Sequence, residues 1–224
     1  MFKKALIASA MLVSVISANA AGSSSFLVSG TSNPGACNIS LDSNSKADYG
    51  TYTPTQLKAL PTYNWTTPGY HLGGKDVVLT VACSSATKAE VSFLDNKPGK
   101  AMPMDMYDSL RFGMVDGSGN SPIGGFDIYL ANILIDGVAP AGALIAATGT
   151  TNWSTTAPAN LSAFFAFPNY SNGFIKTAGN TTPDSFTNMT LILRINAFLN
   201  KSYMDSATNS VNFNGGGVIT IQYL

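Results

Sequence analysis

The sequence predicts an all-β fold built as an antiparallel sandwich. Apolar and polar residues alternate in five segments, which is the period of a strand with one buried face. Turn signals rich in glycine, asparagine and aspartate separate these segments at short intervals. Of the 224 residues, 45% are hydrophobic, which is enough to fill a core between two sheets. Short strands at such intervals favour an antiparallel sandwich over a parallel α/β arrangement.

Each alternating segment is identified by the apolar residues that share one face. These sets are Val77, Leu79, Val81 and Cys83; Ala89, Val91 and Phe93; Phe126, Ile128 and Leu130; Met189, Leu191, Leu193 and Ile195; and Ile219, Ile221 and Tyr223. Turn signals occur at residues 116–120, 136–137 and 214–217. Residues 54–60 are compatible with a helical turn, and residues 161–167 are apolar enough for either a helix or a strand. No linker or change of composition divides the chain, so we expect one domain.

The balance of charge excludes two classes of protein. Only 11% of the residues are charged, and 12 Lys and Arg balance 12 Asp and Glu. A protein that tracks the phosphates of a nucleic acid needs a basic face, so we expect no nucleic-acid partner. Intrinsic disorder requires low hydrophobicity and an excess of charge, and this chain has neither.

The first twenty residues have the pattern of a secretory signal peptide. Lys3 and Lys4 form a basic start, residues 5–17 are apolar, and residues 18–20 (Ala-Asn-Ala) offer small side chains to a signal peptidase. The apolar run is shorter than the roughly 20 residues of a membrane-spanning helix. We therefore expect residues 1–20 to be cleaved and the mature protein to be exported without a membrane span.

The two cysteines, Cys37 and Cys83, are predicted to form a disulfide. In an oxidising compartment two cysteines most simply bond to each other. The chain-entropy model assigns about 4 kcal/mol of stability to a loop of this length. A metal site is the alternative, but two separated cysteines and the single histidine, His71, do not make a set of ligands. We expect no metal and no cofactor.

Candidate catalytic residues are few. His71 lies in a predicted loop with no carboxylate or cysteine nearby in sequence, although catalytic triads assemble from distant positions. Asp105 and Asp108 have the residue type of glycoside hydrolysis, but nothing distinguishes them from surface carboxylates. Residues 116–120 superficially resemble a calcium loop, yet they lack the alternating ligands and the distal Glu of an EF-hand. We predict that the protein is not an enzyme, and a secreted hydrolase is the least favoured alternative.

Two tryptophans suggest a different function. Trp65 and Trp153 lie in stretches rich in Ser and Thr, where an aromatic ring could stack on a sugar. Burial at an edge of the sandwich explains the same residues. They are the candidate glycan-stacking residues of an alternative hypothesis, in which the protein is a monomeric or tip-located carbohydrate-binding module.

The two ends of the mature chain have the pattern of strands that pair with a neighbour. Residues 26–30 alternate before the first cysteine, and residues 218–224 alternate up to the last residue. A terminal strand of this kind offers an edge for augmentation by another chain. The pattern alone also permits the N-terminal strand to pair within its own domain.

This arrangement resembles the pilin subunits of Gram-negative chaperone–usher fimbriae. That family has a signal peptide, an N-terminal extension with alternating apolar residues, and a cysteine in each of the first two strands. Gly30 stands seven residues before Cys37, as in the family, with Phe26 and Val28 at the preceding alternate positions. Tyr223 matches the tyrosine that is frequently penultimate in these proteins.

A narrower resemblance covers almost the whole mature chain. The chain resembles an uncharacterised family of fimbria-associated proteins, which are described as similar to β-fimbrial major subunits. The similar stretches are residues 48–50, 74–83, 95–97, 111–114, 124–130 and 219–224. Lys97 and Val115 replace the Arg and Gly that are usual in this family. Compared with pilins in general, Ser32 replaces an apolar residue of the donor strand and Val211 replaces a glycine.

The resemblance implies an immunoglobulin-like, pilin-type sandwich that lacks one strand and is completed by a strand from another chain. Residues 1–20 would be the cleaved signal peptide. Residues 21–36 would be the N-terminal extension that contains the donor strand, and residues 37–224 the pilin-like domain. The implied function is that of a structural fimbrial subunit that supports cell adhesion, passing through the periplasm to a fimbrium at the cell surface.

The same resemblance implies two sets of site residues. The inserting side of the donor strand would be Phe26, Val28 and Gly30, and the groove strand of the acceptor would be Ile219, Ile221 and Tyr223. The carboxylate of Leu224 would anchor the subunit to a periplasmic chaperone. The other implied partners are an outer-membrane usher and the neighbouring subunits of the polymer.

Overall fold

The computed structural model describes residues 36–42, 45–64, 66–103, 110–157 and 163–224, which belong to one compact unit. The predicted signal peptide and the candidate donor residues Phe26, Val28 and Gly30 lie outside the described residues. The elements in chain order are β1 (Cys37–Leu41), α1 (Pro54–Lys58), β2 (Thr62–Tyr63), β3 (Gly69–Asp95), β4 (Phe112–Asp116), β5 (Pro122–Ile135), β6 (Gly142–Ala147), β7 (Ser154–Ala157), β8 (Ala163–Ala166), β9 (Tyr170–Ile175), β10 (Ser185–Asn200), α2 (Lys201–Ser206), β11 (Phe213–Gly215) and β12 (Gly217–Tyr223).

Strand β3 is the long central strand of the fold and takes part in both sheets. Its first part pairs with β10 as far as Lys88, and its last part pairs with β12 from Ala89 onwards. The sequence shows two alternating segments here, one ending at Cys83 and the next beginning at Ala89. They form one continuous strand because residues 84–88 contain no glycine, proline, asparagine or aspartate to start a turn.

The strands form two sheets, and every strand pairing in the described residues is antiparallel. The first sheet contains β11, β4, β5, β10 and the first part of β3, with β1 and β2 attached to β3 and β8 attached to β5. The second sheet contains β12, the last part of β3, β9, β6 and β7. One hydrophobic cluster contains side chains of both sheets, such as Leu79, Leu191, Val91 and Phe174. The predicted all-β, antiparallel, sandwich-like fold is confirmed.

The two segments with ambiguous sequence patterns, residues 54–60 and 161–167, adopt different secondary structures. Within residues 54–60, α1 begins after a capping box, in which the Thr53 side chain accepts the Gln56 N–H and the Gln56 side chain accepts the Thr53 N–H. Within residues 161–167, β8 is a strand paired with β5. A local cap therefore sets the helix, whereas pairing with a distant strand sets β8.

The glycine-rich turn signals also differ from one another. Asp136 and Gly137 have φ angles of 50° and 82° and form the predicted tight turn after β5. The turn predicted at residues 214–217 is replaced by the end of β11 and the start of β12. Glycine is needed there for close approach, because a Cβ on Gly215 would lie 2.8 Å from the carbonyl oxygen of Gly113.

The predicted disulfide is confirmed. Cys37 and Cys83 face each other across β1 and β3, with their Cα atoms 3.9 Å apart. The bond ties the start of β1 to the central strand and indicates an oxidising compartment. Within the described ranges, no helix is long and apolar enough to cross a membrane.

Candidate functional site

A groove of about 600 Å³ opens between two segments of the chain. We call residues 45–53, which follow β1, the first wall, and residues 209–217, which lead through β11 into β12, the second wall. The floor of the groove is apolar: Val77, Phe93, Met114, Phe126, Ile128, Leu193, Ile195, Ala197 and Leu199. These side chains, apart from that of Ile195, are less than a tenth exposed, so the groove reaches the core through the gap between the walls.

The alternation of β5 and β10 produces this floor. Side chains two residues apart in a strand point to the same face, so Phe126 and Ile128 on β5 share a face, as do Leu193 and Ile195 on β10. The register places Ile195 opposite Ile128. The floor is therefore continuous with the main hydrophobic core. Such a surface favours an apolar occupant.

Tyr49 anchors the first wall to the floor. Its hydroxyl donates to the carbonyl oxygen of Ile195 at 2.5 Å, and burial raises the pKa of this phenol above its usual value. The ammonium of Lys75 lies 6.0 Å from the centre of the Tyr49 ring. The next residue, Gly50, has a φ of 68°, and its N–H donates to the Asp48 carboxylate. The wall is thus fixed to β10 beside a left-handed turn that suits glycine.

Two apolar side chains and a crossing between sheets fix the second wall. Val211 and Phe213 are partly buried and pack against the core. Phe213 begins β11, which pairs with β4 in the first sheet. The carbonyl of Gly216 then accepts the N–H of Asn96 at 3.0 Å, where the chain enters the second sheet. The second wall therefore passes from one sheet to the other at the rim of the groove.

The walls carry backbone groups that lack backbone partners. Within the described part of the chain, no N–H or C=O group of residues 46–52 or 208–212 bonds to another backbone group. Apart from the Gly50 N–H, which bonds to Asp48, such groups can bond to a chain that enters the groove. Both walls therefore offer hydrogen-bonding groups to an extended occupant of the groove.

The C-terminal strand β12 borders the groove at its start. Of the four residues assigned to the groove strand, Ile219 lines the groove and Ile221 is partly buried against the core. Tyr223 is 57% exposed, and its hydroxyl oxygen accepts the backbone N–H of Cys37 at 2.8 Å. Leu224 is 49% exposed at the end of the chain. The structure therefore brings one of the four to the groove itself.

The edge of β12 that faces away from β3 is not paired with any other described strand. Among the described residues, β12 pairs with β3 alone. Ile219 and Ile221 lie opposite Phe93 and Val91, which are 3% and 1% exposed. The two isoleucines share that face but are only partly buried. A sandwich with strands on both sides of β12 would cover both members of each pair.

The other candidate residues lie away from the groove. Trp153 packs over the second sheet, where a Cβ on Gly173 would lie 3.3 Å from the Trp153 ring. His71 stacks on Phe198 with their ring centres 4.9 Å apart, and burial lowers its pKa. Neither side chain lines the groove. The candidates outside the described residues are Trp65, Asp105 and Asp108.

The loop that superficially resembles a calcium site is a self-bonded hairpin turn. Asp116 accepts the hydroxyl of Ser118 at 2.6 Å, and this bond lowers the pKa of the Asp116 carboxyl. One carboxylate oxygen is thus engaged within the turn itself. In the part of the chain that the structure describes, no three His, Cys, Asp or Glu side chains come together as a possible metal site.

Sequence reasoning missed both the walls and a buried polar pair. Glu90 on β3 is 2% exposed and accepts the Ser171 hydroxyl at 2.6 Å, while its other carboxylate oxygen has no partner among the described residues. Glu90 takes the outward position of an alternating segment, so the pattern predicts a solvated side chain. For the second wall, the available signal is the alternation of Val211 and Phe213 just before β12.

Comparison with known proteins gives a limited result. A family model described as "Protein of unknown function (DUF1120)" matches residues 26–110, which is less than half of the chain. The matched segment includes the candidate donor residues, β1, the first wall and β3. No curated protein and no solved structure matches the chain. The N-terminal part is therefore similar to a family that has no assigned function.

Proposed function

We propose that this chain is a structural subunit of a chaperone–usher fimbria and is assembled by donor-strand exchange. The observation that carries the proposal is the groove beside β12. Its apolar floor lies between two walls, and residues 46–52 and 209–212 of these walls have no backbone–backbone hydrogen bond in the described chain. A strand from another chain would supply what this site lacks, because it brings main-chain hydrogen bonds together with apolar side chains.

The N-terminal extension has the chemistry of such a strand. Residues 21–36 contain no charged side chain, which suits an apolar floor. Phe26 and Val28 are two residues apart, so in an extended strand they point to the same side. Burial of each would contribute on the order of 1.5–3 kcal/mol. Gly30 lies on the same side of the strand as Phe26 and Val28 but has no side chain. Glycine is found in strands at places where another backbone approaches closely.

In this proposal the groove is filled twice in succession. A periplasmic chaperone first supplies a strand and binds the carboxylate of Leu224, an exposed residue at the end of the chain. The extension of the next subunit then replaces the chaperone strand at the outer-membrane usher. The Cys37–Cys83 disulfide is what a protein acquires on such a route through an oxidising compartment. The polymer is a fimbrium at the cell surface that supports adhesion.

A denaturing gel of protein sheared from the cell surface tests the proposal. Dissociation of a strand-exchanged polymer requires a whole strand to leave its groove. We therefore expect a ladder of SDS-resistant multimers in the unboiled sample and a single monomer band after boiling. A monomer band alone in the unboiled sample, or no protein at the surface, would contradict the proposal.

The substitution Gly30→Arg tests the assignment of the donor strand. It adds a long charged side chain to the inserting side, so we expect folded monomers and loss of the ladder. Ser29→Arg is the matched control, because residue 29 points to the opposite side of an extended strand and its variant should still polymerise. A normal ladder from Gly30→Arg would count heavily against the donor assignment.

A further inference from the structure

One row of side chains crosses the outer face of the first sheet, which points away from the core. Tyr129 on β5 lies opposite Phe165 on β8 and Arg194 on β10, and Arg194 in turn lies opposite Asp76 on β3. Residues directly opposite each other share a face, and their neighbours along the strands, such as Leu130, face the core. Neighbouring strands are about 4.8 Å apart, so this outer row covers about 14 Å.

One end of the outer row is aromatic. The ring centres of Tyr129 and Phe165 are 4.1 Å apart, and Phe165 is 38% exposed. The ring of Phe167 lies 5.8 Å from that of Phe165 and is nearly parallel to it, at 12°. Tyr170 follows, with its ring centre 6.0 Å from that of Phe167. Four neighbouring rings thus form a continuous aromatic surface, of which Phe165 is the most accessible member.

The other end of the outer row is polar but has no net charge. The Arg194 guanidinium donates from Nε and Nη2 to the two carboxylate oxygens of Asp76, both at 2.9 Å. The two side chains are 49% and 42% exposed. A guanidinium has five N–H donors and a carboxylate has about four lone-pair sites, so both groups can bond to a ligand as well as to each other.

A glycine keeps a third polar side chain beside this ion pair. A Cβ on Gly74 would lie 2.9 Å from Oδ1 of Asn196 and 3.2 Å from Cγ of Arg194. The Asn196 side chain is partly exposed, and it makes no hydrogen bond among the described residues. Its amide therefore adds a donor and an acceptor to the polar end of the row.

The chemistry of the outer row selects a neutral ligand with both apolar and polar groups. An anion would meet the carboxylate of Asp76 and a cation the guanidinium of Arg194. A purely apolar ligand would cover the polar end without satisfying its hydrogen bonds, which is costly. Phe165 is the one large apolar side chain of the row that is more than a third exposed, whereas a stable protein interface buries about 1,000 Å² or more around an apolar centre.

We infer that the outer row binds a neutral oligosaccharide. A sugar ring has a face of C–H groups, which stacks on the electron-rich face of the Phe165 ring. Its hydroxyl groups can both donate and accept, so they bond to the Arg194–Asp76 pair and to the Asn196 amide. This inference goes beyond the proposed function, because the row lies on the outside of the first sheet and needs no exchanged strand. It also differs from stacking on Trp153, which packs over the second sheet.

A glycan array probed with the folded full chain tests the inference. The neutral probes are oligosaccharides of glucose, galactose, mannose and N-acetylglucosamine, and sialylated and sulfated glycans form the charged set. We expect binding to a neutral probe, and Phe165→Ala should lower that affinity about tenfold. Phe165→Tyr keeps the ring and should restore binding. The double variant Asp76→Ala/Arg194→Ala removes the polar end without leaving a lone charge, and it should also bind more weakly.

Leu134→Ala is the matched control, because Leu134 is also on β5 and is 41% exposed but lies outside the outer row. Its affinity for the probe should equal that of the unsubstituted protein. Binding to none of the probes, or to charged glycans alone, would overturn the inference. So would binding that Phe165→Ala leaves unchanged, which would place the sugar elsewhere on the molecule. Each of these results leaves the proposed function in place, since Phe165→Ala should still form the SDS-resistant ladder.

Discussion

The backbone N–H of Cys37 donates to the hydroxyl of Tyr223 at 2.8 Å, which joins the first residue of β1 to the penultimate residue of the chain. Cys37 is also bonded to Cys83 in β3. Strands β1 and β12, which both pair with β3, are therefore tied to each other and to the central strand. The first wall follows β1 and the second wall leads into β12, so both walls continue from strands that these bonds hold in place.

Tyr223→Phe removes this hydrogen bond and keeps the ring. We expect the free energy of unfolding to fall by about 0.5–1.5 kcal/mol, as for a typical single hydrogen bond. The loss should lie near the lower limit, because Tyr223 is 57% exposed. Chemical denaturation measures the change, and hydrogen exchange at the Cys37 amide should become faster. Unchanged exchange at this amide would contradict the role assigned to the bond.

The Glu90–Ser171 pair gives a larger expected effect. Ser171→Ala leaves a carboxylate that is 2% exposed without the hydroxyl that now binds it. A buried polar group that loses its hydrogen-bond partner keeps its desolvation cost, so we expect a loss of about 1–3 kcal/mol. Urea denaturation of the variant and the unsubstituted protein measures this difference.

Ser118→Ala is the matched control for Ser171→Ala. The Ser118 hydroxyl also donates to a carboxylate at 2.6 Å, that of Asp116, but in an exposed hairpin turn. Water can replace the lost hydroxyl there, so the change should stay within about 0.5 kcal/mol. Equal losses in the two variants would show that burial is not what makes the Glu90 pair important.

The strands could be predicted because their information is local, and the disulfide could be predicted because the chain has only two cysteines. Alternation over Val77, Leu79 and Val81 fixes which side chains of that segment face the core, and all three are buried. The continuity of β3 was missed because a sequence pattern shows where turns are encoded, and residues 84–88 encode none. The helix α1 was recognisable in outline because Thr53 and Gln56 form its cap within a few residues of each other.

The groove could not be predicted because its parts are distant in sequence. Tyr49 and Ile195, which join the first wall to the floor, are 146 positions apart. Val211 and Phe213 look like an ordinary short strand until β4 is seen to pair with Phe213. Alternation at residues 219–223 indicated an edge strand, but the location of the cavity depends on how the two walls cross the sheets.

The Asp136 carboxylate should make stability depend on pH. Burial raises its pKa, but hydrogen bonds from Lys176, Thr187 and Asn188 outweigh this, so the pKa lies well below its ordinary value of 3.8. A carboxyl with a lowered folded-state pKa stabilises the fold above the unfolded-state value, and the stabilisation is lost as the pH falls below it. Asp136→Asn should therefore be less stable than the unsubstituted protein at about pH 7, with a smaller difference at about pH 2.5.

Urea midpoints of both proteins across this pH range measure that difference. The comparison contains its own control. The other carboxylates titrate in both proteins, so their contributions to stability cancel in the difference. A difference in stability that stays constant from neutral to acidic pH would contradict the ionic role of Asp136. Such a result would assign the effect of the substitution to altered packing of the turn instead.

Tyr49→Phe tests whether the first wall matters for strand binding. The variant loses the hydrogen bond to the Ile195 carbonyl, so we expect a loss of about 1 kcal/mol in stability. The wall should then exchange its amide hydrogens faster, since its anchor to β10 is gone. Because the first wall lines the groove that the proposed donor strand fills, the SDS-resistant ladder should collapse at a lower temperature than in the unsubstituted protein.

Tyr52→Phe is the matched control in the same wall. Tyr52 also packs partly buried against the core, but its hydroxyl makes no hydrogen bond among the described residues. Loss of that hydroxyl should therefore leave both monomer stability and the dissociation temperature of the ladder nearly unchanged. If Tyr49→Phe destabilises the monomer but the ladder dissociates at the original temperature, the first wall is not part of the strand-binding site, because a loosened wall must weaken any strand that pairs with it.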